Sequence, residues 1–102
     1  MSVYHNPVLL QESISSLITK PEGFYADATF GGGGHSRAIL EALTPEGRLM
    51  AFDRDADAAA NAPKDPRFTL IHNNFRFIHN YTLLHHPEGL DGILADLGVS
   101  SH

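Results

Sequence analysis

The sequence predicts an α/β protein of the doubly wound, Rossmann-like kind, with about four parallel strands and flanking helices. Three observations predict it. Short apolar runs alternate with segments of helical spacing in the order α-β-α-β-α-β-α-β. The apolar run Leu49–Phe52 stops at an aspartate, and Gly92–Ala95 is flanked by Asp91 and Asp96, as strands ending at a ligand-binding edge would be. Four consecutive glycines, Gly31 to Gly34, stand between a strand and a helix.

The elements follow in order. Asn6-Pro7 places an N-cap and a first-turn proline before Leu10, Ile14, Leu17 and Ile18, so residues 7–19 read as an amphipathic helix. Lys20-Pro21-Glu22-Gly23 is a turn, and the aromatic and β-branched segment 24–30 is the first strand. After the glycines a helix opens near His35-Ser36 with Ile39, Leu40 and Leu43 on one side, closed by Pro45-Glu46-Gly47. Leu49 to Phe52 make a buried strand ending at Asp53. The alanine-rich stretch 55–62, acidic at its start, is expected to be helical, with Pro63 closing it. Residues 67–72 form the third strand, and Asn74 caps a further helix with Phe77, Ile78, Tyr81 and Leu84 on its apolar side. Residues 92–95 form the fourth strand.

Length and composition bound the function. A chain of 102 residues holds at most one domain, and 42% hydrophobic with 19% charged residues is ordinary for a soluble globular protein. No apolar run approaches the roughly 18–20 residues of a membrane span, and the first residues lack the pattern of a signal peptide. Cysteine is absent, which excludes disulfides and thiolate metal sites and fits a cytoplasmic protein. The net charge is −5 and the seven Lys and Arg residues are scattered singly, so this segment alone carries no nucleic-acid footprint.

The candidate site follows from the fold class, because ligands bind doubly wound sheets at the carboxyl ends of the strands. Those ends are Gly31–His35, Asp53, Asn74–Phe75 and Asp96. The glycines let the backbone approach a ligand closely, and the helix after them offers free N–H groups. Asp53, some twenty residues further on, stands where a carboxylate accepts from both hydroxyls of a ribose. Asp55 is the better cap for the following helix, which leaves Asp53 for a ligand. These features fit either a nicotinamide dinucleotide or S-adenosylmethionine. Two details favour S-adenosylmethionine: Ser36 occupies the position of the third fingerprint glycine, and Asp27 lies close to where a pyrophosphate would sit. Asp27 could instead orient the glycine loop or meet the cationic methionine part. Asp96 stands beside the switch point, facing cofactor, substrate amino group or both, and Phe75 is as readily a core residue as a stacking partner for adenine. The histidines form no ligand-spaced pattern, so no metal site is expected.

These motifs resemble the bacterial methyltransferases that modify N4 of a cytosine in small-subunit ribosomal RNA, the RsmH or MraW family. The matching stretches are His5–Leu10, Asp27–Ser36, Phe52–Asp55, His72–Phe75 and Asp91–Ser101, spaced in order along the whole chain. The resemblance implies a class I S-adenosylmethionine-dependent fold and cofactor contacts from Gly33, Gly34, His35, Asp53, Phe75 and Asp96. It also implies direct methyl transfer to a poorly nucleophilic amino nitrogen, with Asp96 the candidate acceptor for its protons. Family members are much longer and carry an inserted helical region expected to hold RNA. Residues 1–102 therefore read as the N-terminal portion of such a domain, lacking the rest of the sheet and the inserted region. Ribosomal RNA would be met through that missing part. The bare edge of strand four leaves room for a homodimer, or for a non-catalytic, self-associating fragment. A nicotinamide-dependent oxidoreductase is the remaining alternative.

Overall fold

A computed structural model describes residues 12, 14–28 and 34–94. The strands are β1 (Phe24–Asp27), β2 (Arg48–Asp53), β3 (Phe68–His72) and β4 (Gly92–Leu94), all parallel, in the order β3-β2-β1-β4. The register sets Asp27 opposite Ala51 and Leu94, and Asp53 opposite His72. Helical residues 14–17 (α1), α2 (Gly34–Ala42) and α3 (Ile78–His85) flank the sheet.

Alternation along the strands builds two faces. Tyr25, Leu49 and Leu94 meet Ile14 of α1 with Ile39, Leu40 and Leu43 of the α2 region. Phe24, Ala26, Met50, Phe52 and Ile71 point the other way and receive Phe75, Ile78, Tyr81 and Leu90. All four residues of β1 and four of the six of β2 are buried, which is why these strands are apolar runs rather than alternating ones. Gly92 lies opposite Tyr25; a Cβ there would come within 2.9 Å of both Leu17 Cδ1 and Tyr25 Cε1, so the first residue of β4 has no room for a side chain.

The amino end of the sheet is held by polar side chains. The Arg67 guanidinium donates to both carboxylate oxygens of Asp65, at 3.0 and 2.6 Å, and to the carbonyls of Leu40 and Leu43 at 3.0 Å. It thereby closes the carboxyl end of α2 with a positive charge, the sign that end favours. The Tyr25 hydroxyl donates to the Lys20 carbonyl at 3.0 Å and accepts from its N–H at 3.1 Å. Asp91 accepts from Phe24 N–H at 2.9 Å, and its own N–H donates to the Phe24 carbonyl at 2.8 Å, fastening β4 to the start of β1.

Three expectations change in detail. The stretch expected as a helix at 55–62 is a 3-10 segment, Ala56–Asn61. Asp55 caps it as expected, but only six residues separate that cap from Ala62, and Arg37 of α2 takes the Asn61 carbonyl at 2.8 Å. Asn74 also caps as expected, accepting from Arg76 N–H at 2.9 Å, yet it opens a 3-10 turn, Phe75–Phe77, before α3 begins. That tighter turn advances the frame, so the sheet-facing row is Phe75, Ile78 and Tyr81, and Leu84 is 74% exposed. The start of the first helix, the end of the first strand beyond Ala28, and Ala95 of the fourth lie outside the described residues.

Candidate cofactor-binding edge of the sheet

The chain passes from β1 to β2 to β3 in one direction and then places β4 on the far side of β1. The switch point is therefore between β1 and β4, where Ala28 N–H donates to the Leu94 carbonyl at 2.8 Å. Asp27 ends β1 at this point and is fully buried. Its Oδ2 accepts a 2.7 Å hydrogen bond from the hydroxyl of Ser36, which is also fully buried. The bond to Ser36 in the first turn of α2 sets the carboxylate at the end of that helix which favours a negative charge, while Ala51 opposite it packs on Ala58.

Gly34 opens α2 and is exposed; a Cβ there would meet nothing within 4 Å. Its lack of a side chain is thus not required by packing, nor by a left-handed backbone. His35 follows, half-buried. Gly31, Gly32, Gly33 and Asp96 lie outside the described residues.

Asp53 ends β2 half-exposed, on the same face as Ala51. Its Oδ1 accepts from Asp55 N–H at 2.9 Å, and Asp55 in turn accepts from Asp57 N–H at 2.9 Å. Asp55 is thus the cap, as expected, while Asp53 also shapes its own turn through Oδ1, and among the described residues its Oδ2 has no protein donor. Across the register, His72 Nε2 bonds the Arg54 carbonyl at 3.0 Å and ties the ends of β2 and β3 together.

Phe75 follows β3, half-buried, with its ring edge-on to Phe52 at 5.5 Å. One side of it packs on the core, as the core reading expects, and the rest is accessible. Its position depends on Asn73, which sequence reasoning passed over. Asn73 Oδ1 accepts from Asn74 N–H at 2.7 Å, and Nδ2 donates to the Tyr81 hydroxyl at 3.0 Å, clamping the loop to α3. No periodicity links residues 73 and 81, so nothing in the sequence signals this pair. Asp65 has its pKa lowered from 3.8 to about 2, chiefly by the Arg67 hydrogen bonds, and it belongs to the opposite end of the sheet. Among the described residues no three His, Asp or Glu side chains gather closely enough to hold a metal ion.

A parallel sheet with this switch point and an acid at the end of β2, in a sequence that carries a run of glycines between β1 and α2, is a Rossmann-like α/β fold. A solved structure of a candidate rRNA-methylase from Clostridium thermocellum shares it, with a TM-score of 0.64 and 25% identity over 72% of this chain and 45% of that one. The family model described as the MraW methylase family matches residues 2–102, and the chain belongs to that family. Ribosomal RNA small subunit methyltransferase H of Flavobacterium johnsoniae is 61% identical over 99 residues, covering 97% of this chain and 33% of that protein. The Parabacteroides distasonis protein of the same name is 56% identical over 102 residues, again with 33% of its length covered. The chain thus spans about a third of the curated relatives it matches.

Proposed function

We propose that residues 1–102 form the cofactor-binding part of an S-adenosylmethionine-dependent methyltransferase acting on N4 of a cytosine in small-subunit ribosomal RNA, in the cytoplasm. The observation that carries this reading is the carboxylate of Asp53. It stands half-exposed at the end of β2 with one oxygen engaged by its own turn and the other available. Such an oxygen suits a ribose hydroxyl. Gly34, with open space where a side chain would be, and the accessible side of Phe75 fit the same ligand. Gly33, His35 and Asp96 complete the proposed contacts. The bound cofactor would supply an electrophilic methyl group. The protein's part is to hold the ribose at Asp53, keep the glycine turn open to backbone approach, and place a proton acceptor beside β4.

Asp96 is proposed as that acceptor. Asp96→Asn in the complete gene product should lower turnover far more than cofactor affinity; equal losses would make Asp96 a cofactor ligand only. Ribosomal RNA is proposed as substrate on the names of the relatives, and the base would have to leave its stack to reach the site. A dinucleotide site is disfavoured by the buried Asp27–Ser36 pair beside the glycine turn. One observation supports a second reading, a self-associating fragment: among the described residues β4 is the outer strand of the sheet, and its Ile93 is 44% exposed. Sedimentation velocity over a concentration series distinguishes the two, with a persistent monomer counting against edge pairing.

A further inference from the structure

The segment that follows β3 is held from two directions. Along the backbone, Asn73 Oδ1 accepts from Asn74 N–H at 2.7 Å. Asn74 Oδ1 accepts in turn from Arg76 N–H at 2.9 Å, opening the 3-10 turn Phe75–Phe77. Across to α3, Asn73 Nδ2 donates to the Tyr81 hydroxyl at 3.0 Å. The Tyr81 ring meets the Phe52 ring edge-on at 5.7 Å, and Phe52 meets Phe75 in the same manner at 5.5 Å. Asn73, Phe75, Phe52 and Tyr81 thus form a closed circuit of contacts at the end of β3. Packing accounts for the Tyr81 ring, which belongs to the sheet-facing row with Phe75 and Ile78. It does not account for the hydroxyl. A phenylalanine would fill the same space, and what the hydroxyl adds is the bond to Asn73. That amide is oriented, because its oxygen is committed to Asn74 N–H and its nitrogen therefore faces Tyr81. Without the hydroxyl the loop keeps its own turns but loses this tie to α3.

We infer that Tyr81 is a positioning residue for the cofactor, acting through Asn73 to set the accessible side of the Phe75 ring. This rests on the cofactor reading above, with that side of Phe75 meeting the adenine of S-adenosylmethionine. Tyr81 itself touches no ligand. Aromatic contacts depend on ring offset and angle, so a small shift of the loop changes affinity without unfolding the protein.

The test is a pair of double-mutant cycles on the complete gene product, with S-adenosylmethionine affinity measured by calorimetry well below the melting temperature of each variant. Tyr81→Phe keeps the ring and should weaken binding about fivefold, equivalent to about 1 kcal/mol. Phe75→Leu should weaken it more. In that background Tyr81→Phe should change affinity less than about twofold, because the ring it positions is gone. The second cycle pairs Tyr81→Phe with Asn73→Ala, and the double variant should bind as Asn73→Ala alone does. This cycle preserves the test if Phe75→Leu does not fold. A lowered melting temperature with unchanged affinity in Tyr81→Phe would mean a purely structural clamp and would overturn the inference, as would additive losses in either cycle. Unchanged affinity in Phe75→Leu would remove Phe75 from the site and this inference with it, while leaving the Asp53 assignment in place. No binding by the unsubstituted protein would overturn the cofactor reading itself, so the two failures are distinguishable.

Discussion

The two ends of the sheet use their polar side chains differently. At the amino end the bonds close on the protein itself. Arg67 spans Asp65 and two carbonyls of the α2 terminus, Tyr25 both donates to and accepts from Lys20, and Asp91 holds β4 to β1; Thr44 Oγ1 is a buried exception, without a partner among the described residues. At the carboxyl end Asp27 with Ser36 and Asn73 with Tyr81 are fully engaged, but three groups are only half-used. Asp53 has one oxygen on its own turn, Gly34 faces open space, and Phe75 has one edge against Phe52. On the proposed function, the contrast is between residues that serve stability at one strand end and the same residue types that would serve binding at the other. Substitutions at the amino end should cost stability, and those at the carboxyl end should cost ligand affinity.

The largest stability effect is expected at Arg67. Arg67→Ala removes the charged fork and exposes the α2 carbonyls, and should lower the unfolding free energy by about 3 kcal/mol in urea denaturation. A loss below about 0.5 kcal/mol, typical of a simple surface position, would break the comparison. Gly92→Ala should follow at about 2 kcal/mol, because its Cβ would crowd Leu17 and the Tyr25 ring. Tyr25→Phe keeps the ring and removes the bonds to Lys20, for about 1 kcal/mol.

A smaller effect should appear in acid. Asp65 has its pKa lowered to about 2 in the folded protein by Arg67, so its contribution is fully present above about 3.8 and is lost as pH falls toward 2. Stability of the unsubstituted chain should decline across that window, and the part due to Asp65 should vanish in Arg67→Ala. An unchanged acid limb in that variant would place the proton linkage elsewhere.

Much of this division is legible in the sequence, for identifiable reasons. Leu49–Phe52 followed by Asp53 marks a buried parallel strand meeting a polar edge, and the Ile39, Leu40 and Leu43 spacing marks the buried side of the α2 region. The glycine run between strand and helix points to a ligand-approaching segment, and Ser36 in place of a third fingerprint glycine points away from a dinucleotide. What the residues do not disclose is pairing across long sequence separations, such as Arg67 with Leu40, Asp91 with Phe24, or Asn73 with Tyr81. Alanine propensity also misleads at 56–61, where six residues accommodate a 3-10 segment. The outward turn of Leu84 has the same origin, since a 3-10 start at Phe75 shifts the helical frame by a fraction of a turn.

The most direct measurement is a calorimetric titration of S-adenosylmethionine into the unsubstituted chain, with Asp53→Ala and Tyr25→Phe in parallel. The account predicts binding by the unsubstituted chain and by Tyr25→Phe, and at least about tenfold weaker binding by Asp53→Ala with its melting temperature nearly unchanged. Equal affinity in Asp53→Ala and the unsubstituted chain would contradict the assignment of the carboxyl edge as the cofactor site.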